Sequence, residues 1–190
     1  MMNFVEHFGI RGEMDPMRFS AMCQMVENRV VGAPCGIMDQ VSSCAGHESA
    51  LLRMICQPHE LQEPLKLPEG VRALGINSNV KHSVGGGMYG KTRCAAFMGH
   101  RIILEMMAKS GRVPAVAREH DPLRGYLANL APEEYERDFR EHLPMSMSGQ
   151  QFIEKFGKTF DSATQVEPGI EYHVRPATDH HVYEAARVRK

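Results

Sequence analysis

The chain reads as a mixed α/β or α+β protein, on three observations. Apolar residues recur at helical spacing in several windows, first at Phe19, Met22, Cys23, Val26 and Val30, later at Ala95, Met98, Ile102, Ile103, Met106 and Met107. Between these windows ALLRMIC and VRALGIN are short apolar runs of strand length. Strands and helices alternate loosely, with no internal repeat and no low-complexity tract.

The elements follow from their end signals. Asp15-Pro16 predicts a helix start, with Asp15 as cap and Pro16 in the first turn, and Gly32 predicts its stop. Gly36 opens a second helix, IMDQVSSCAG, that ends near Gly46. ALLRMIC and VRALGIN predict two strands, with EPLKL between them as a third, weaker one. SVGGGMYG predicts a loop, and the chain returns to helical spacing from Lys91 to Ser110, where Gly111 stops it. PEEYERDFREHL, residues 132 to 143, predicts an amphipathic helix with Pro132 in its first turn. GQQFIEKFG predicts a short helix, residues 157 to 170 a connector, and HVRPATDHHVYEAARVRK a last helix.

Bulk properties exclude several function classes. A hydrophobic share of 43% and a charged share of 24% are those of a soluble globular protein. With 22 basic residues against 23 acidic ones, no field favours nucleic acid or an anionic membrane. No segment reaches bilayer-spanning length. The start, MMNFVEHFGIRGEMD, lacks the basic-then-apolar order of a secretory signal, so a cytoplasmic protein is expected. The five cysteines are odd in number and never form a CxxC pair, which argues against a disulfide framework or a thiolate zinc site. Most of them are expected to be small buried apolar residues, and the 14 methionines to be core filling.

The stretch VVGAPCGIMDQ, residues 30 to 40, carries the most chemistry. Gly32, Pro34 and Gly36 break an apolar run, and one acid, Asp39, follows behind Ile37 and Met38. In the first turn of a helix a carboxylate faces the positive end of the helix dipole, which favours its ionised form. Asp39 is then either a general base held on a rigid turn or an acid placed there for helix stability alone. Acids in first turns are common, so composition by itself leans to the second. Gly85-Gly86-Gly87 belongs to no phosphate-binding fingerprint and reads as a flexible turn. Tyr89 follows it, fit either to contact a polar ligand or to pack. Lys81 stands at a strand end, able to pair with a carboxylate or phosphate. Asp179, His180 and His181 suggest a metal, but adjacent helical histidines diverge by about 100 degrees, so they read as surface residues.

VVGAPCGIMDQ resembles the central motif of galactokinases, within the GHMP small-molecule kinases. NSNVKHSVGGGMYGKTRCAAFMG looks like the family's strand, sugar-contacting loop and following helix, and YHVRPATDHHVYEAARV like the segment where its helical region resumes. HSVGGGMYG, LAPEEYERDF and LPMSMSGQQFIEKF are most similar to L-arabinokinases. The resemblance runs from about Gly9 to Lys190. It implies a two-domain GHMP kinase-like architecture, present in part. Residues 1–80 would end a ribosomal S5 domain 2-like N-terminal domain, and 81–190 would begin a ferredoxin-like C-terminal domain.

The implied reaction is transfer of the γ-phosphoryl of ATP to the anomeric hydroxyl of an aldose, L-arabinose first and D-galactose next. Asp39 would be the catalytic base, with Lys81 as a supporting cation where galactokinases usually carry arginine; that substitution loses a bidentate fork. Gly36, Asp39 and Tyr89 match positions that contact sugar, and Cys35 reads as packing. The resemblance also implies Mg2+. The family's PxGxGLSSSAA phosphate loop and its GFGG-type motif are not in this sequence. The chain is therefore expected to be a middle piece that is inactive alone, with the magnesium ligands mostly outside it. A piece of an α/β domain leaves a sheet edge and apolar faces uncovered, so self-association is expected. The alternative is a non-catalytic sugar-binding or regulatory relative.

Overall fold

The computed structural model describes residues 6–9, 15–56, 59–80 and 87–188. The chain divides into two compact units, Met1–Gly85 and Gly86–Lys190. The class is α+β: helices predominate, and the two sheets among the described residues are each a two-stranded antiparallel pair.

In the first unit, α1 (Pro16–Val26) starts as its end signals require. The Asp15 carboxylate accepts from the Arg18 amide at 2.8 Å, and Pro16 occupies the first turn. Its end is looser than an α-helix. Residues Glu27–Val31 form a π-helical turn, closed by Gly32 at φ 77. That left-handed φ is one that glycine adopts without strain. Helix α2 (Met38–Ala45) begins two residues later than Gly36, with Ile37 as its cap and Gly46 past its end. Among the described residues of the unit, Phe19, Ile37 and Val41 are the buried hydrophobic ones.

Strands β1 (Ala50–Cys56) and β2 (His59–Lys66) pair antiparallel, Ala50 with Lys66 and Cys56 with His59. The EPLKL candidate thus falls in β2 through Lys66. The register slips by one residue between the Leu51–Leu65 and Arg53–Gln62 pairs. The extra residue lies on the β2 side, beside Pro64, which has no N–H to give to a ladder, so a bulge there is the expected accommodation. The predicted strand VRALGIN does not form: residues 71–80 have no regular structure. A strand needs a neighbour's N–H and C=O groups, and among the described residues none runs beside it. Leu74 and Ile76 are consequently 87% and 93% exposed.

The second unit is built on α3 (Met88–Lys109), which begins three residues before Lys91 and is stopped at Ser110 and Gly111. Tyr89 therefore stands in the first helical turn, not in the loop. Cys94, Met98, Ile102, Ile103 and Met107 put one buried stripe of α3 into the unit's core. Helix α4 (Pro132–Asp138) is shorter than predicted, and residues Arg140–His142 continue as a 3-10 turn. Its Tyr135 and the following Phe139 and Leu143 are buried. Strand β3 (Met147–Ser148) leads into α5 (Gly149–Phe156), whose capping box pairs Ser148 with Gln151. The connector 157–170 has no regular structure and ends at β4 (Glu171–Tyr172), which pairs with β3. Helix α6 (Val174–Val188) closes the core with Val174, Ala177 and Val182.

Of the cysteines, only Cys94 is buried; Cys23, Cys35 and Cys44 are half-buried and Cys56 is exposed. The small unit around α1 and α2 has too few buried side chains to enclose theirs.

Candidate active site

Asp39 stands in the first turn of α2, and its side chain is exposed. Among the described residues its carboxylate has neither a hydrogen bond nor an ion pair; only its backbone carbonyl is engaged, by the Ser43 hydroxyl at 2.8 Å. Gly36 is exposed too, and a Cβ built there meets nothing within 4 Å. The glycine leaves open space on the turn rather than relieving a contact within the protein.

The turn itself is fastened by polar groups that composition did not single out. All but one come from the end of α1 and the π-helical turn. The Cys35 amide donates to Asn28 Oδ1 at 2.9 Å, and the Cys35 carbonyl accepts from Gln24 Nε2 at 3.2 Å. The Glu27 carboxylate takes the Cys35 thiol on Oε2 at 3.3 Å and Gln40 Nε2 on Oε1 at 2.9 Å. Burial, then the bond to Glu27, pushes the Cys35 thiol up from its ordinary value. Cys35 was read as packing; it is instead the anchored end of the turn. Both signals lay in the sequence, as Glu27-Asn28 one helical turn before Gly32 and as Gln40 beside Asp39, but neither is diagnostic without the fold.

Tyr89 belongs to the second unit, at the start of α3, and is 38% exposed. One turn on, Arg93 binds Asp161 through Nε at 2.8 Å and Nη2 at 2.9 Å. That pair, opposed by burial and helped by the Tyr89 hydroxyl, raises the Arg93 guanidinium above its ordinary value. Asp161 also accepts from the Ala163 and Thr164 amides and the Thr164 hydroxyl. Burial alone would raise its carboxyl; Arg93 and these donors outweigh that and hold it below the ordinary carboxylate range. Lys81, with Gly85 and Gly86, lies outside the described residues.

In the stretch Asp179-His180-His181, Asp179 accepts from the Tyr135 hydroxyl at 2.7 Å and from Arg140 Nε at 3.1 Å, tying α6 to α4. Among the described residues no group of three His, Cys, Asp or Glu side chains could hold a metal ion, and no helix is long and apolar enough to cross a membrane.

No protein-family model and no solved structure matches the chain. Known proteins do. The L-arabinokinase of Arabidopsis thaliana is 37% identical over 193 aligned residues, which cover 93% of this chain and 18% of that protein. The galactokinase of Streptomyces coelicolor is 39% identical over 106 residues, 54% of this chain and 26% of that protein. A galactokinase of Haemophilus influenzae is 41% identical over 70 residues, 37% of this chain and 18% of its own length. The matched segment is thus no more than 26% of any of these relatives. With similarity extending along almost its whole length, the chain belongs to the galactokinase and L-arabinokinase branch of the GHMP small-molecule kinases.

Proposed function

We propose that the polypeptide carrying this segment is an ATP-dependent sugar 1-kinase of the cytoplasm. It phosphorylates the anomeric hydroxyl of an aldose, L-arabinose before D-galactose. The observation that carries this reading is the 37% identity to an L-arabinokinase along 93% of the chain, which spans the Gly36–Asp39 turn. In phosphoryl transfer the protein supplies position and charge more than covalent chemistry. Asp39, open on its turn, accepts the proton of the sugar hydroxyl, while Gly36 and Tyr89 line the sugar and Lys81 adds positive charge. The described residues offer no carboxylate cluster for magnesium. Neither magnesium nor the ATP phosphates are assigned a ligand in this chain.

The test is ADP release coupled to an optical readout, with L-arabinose and D-galactose as acceptors and the full-length polypeptide as enzyme. Asp39→Asn is expected to fold as the parent does and to lose about 10²–10⁴-fold in kcat, the usual contribution of a general base. An Asp39→Asn enzyme with parental kcat would end the assignment. As an arm of the same assay, the 190-residue chain alone is expected to turn over no sugar, since it carries no phosphate-binding loop. A second reading is a sugar-binding or regulatory relative without catalysis. For it, a full-length protein that binds sugar but releases no ADP is the expected result.

A further inference from the structure

We propose that Glu27 is a positioning residue of the Gly36–Asp39 turn. One carboxylate, from the π-helical turn, holds the residue just before the turn and the residue just after it, and so fixes where Asp39 stands. The consequence for catalysis rests on the reading of Asp39 as the base; the clamp itself does not.

The geometry carries it. Glu27 Oε2 accepts from the Cys35 thiol at 3.3 Å and Oε1 accepts from Gln40 Nε2 at 2.9 Å. Gln40 Nε2 also lies 3.7 Å from Cys35 Sγ, so the three side chains close on one another. The four residues thus enclosed include Gly36, which has no Cβ to restrict its backbone, and end in Asp39. The same Glu27 receives the chain as it leaves the π-helical turn: its backbone carbonyl accepts from the Gly32 amide and, at 3.0 Å, from the Ala33 amide. Gln40 is only 8% exposed and its Oε1 has no donor among the described residues. An orphaned acceptor is unfavourable, so the amide is held in place by what its nitrogen does, namely bind Glu27. Wider π-helical turns inside α-helices recur at functional sites. Here the widening sets Gln24, Glu27 and Asn28 against the loop that follows.

Glu27→Gln tests the clamp with almost no change of volume. It removes the charge and places an NH2 group against one of two donors, so that donor must either lose its bond or turn to accept. Two quantities are read. The first is the rate at which iodoacetamide alkylates Cys35, followed by peptide mass spectrometry. Freed from a negative acceptor, the thiol is expected to react several-fold faster. The second is sugar phosphorylation by the full-length polypeptide. There kcat is expected to fall about 10- to 100-fold, as for a misplaced catalytic group, while the sugar KM changes little. Should Glu27→Gln fold poorly, Glu27→Asp keeps the charge, draws the carboxylate back from both donors and is read by the same two measurements. An unchanged Cys35 rate overturns the clamp whether or not the enzyme turns over. A faster Cys35 with parental kcat overturns the positioning role and leaves the kinase reading standing. A wild-type polypeptide inactive on every aldose counts against the proposed function, and the alkylation rate still decides the clamp.

Discussion

Asp161 shows how one side chain can fasten an irregular segment. It is 3% exposed and takes five hydrogen bonds, two from Arg93 and three from Ala163 and Thr164. The connector 157–170, which has no ladder of its own, is thereby tied to α3. Removing Arg93 would leave a buried charge unpaired, at a cost of about 3–5 kcal/mol. The sign of the pH dependence follows from the depressed carboxyl. Its stabilisation is complete above the unfolded value of about 3.9 and is lost as the pH falls below it. Urea melts at successive pH values should therefore show wild type more stable than Asp161→Asn at pH 7, with the gap closing below about pH 4. A gap that does not narrow at all as the pH falls below 4 would mean that the ion pair is not its source. None of this was legible in the sequence, because Arg93 and Asp161 are 68 positions apart and neither sits in a pattern. The place of Asp39 in a first helical turn was legible because the turn that carries it is contiguous.

Elements were legible where a local end signal existed. Asp15-Pro16 and the stops at Gly32 and Gly111 all mark real boundaries. VRALGIN failed because a strand depends on a partner that its own sequence does not encode. The closeness of α3 and α6 was equally hidden. A Cβ at Gly99 would lie 1.9 Å from Thr178 Oγ1 and 3.2 Å from Thr178 Cβ. Thr178 is fully buried, and its hydroxyl is committed to the Val174 carbonyl at 2.9 Å. Gly99→Ala should therefore destabilise the unit by about 1–3 kcal/mol, as overpacking does, despite alanine's better helix propensity. Gly99→Ala combined with Thr178→Ala should be less damaging than the sum of the two, by a thermal-melt double-mutant cycle. Strict additivity would show that the two residues do not meet.

Across the whole molecule the apolar surface is unevenly distributed. The described residues of the larger core all fall between Cys94 and Val182. The first unit leaves Val30, Leu74, Ile76 and Val80 at 78%, 87%, 93% and 78% exposure. An extended, unpaired apolar segment is a template for strand addition. The isolated chain is therefore expected to self-associate through residues 71–80. Sedimentation velocity over a concentration series should show a mass that rises with concentration for wild type and less so for Leu74→Lys/Ile76→Lys. Equal behaviour of the two would exclude that segment as the contact. The tight crossing at Gly99 also bears on descent. A lineage that exchanges glycine for a larger residue there must first shorten position 178 or pass through a crippled ancestor. The two sites should accordingly change together, in one order, among kinases that share this helix pair.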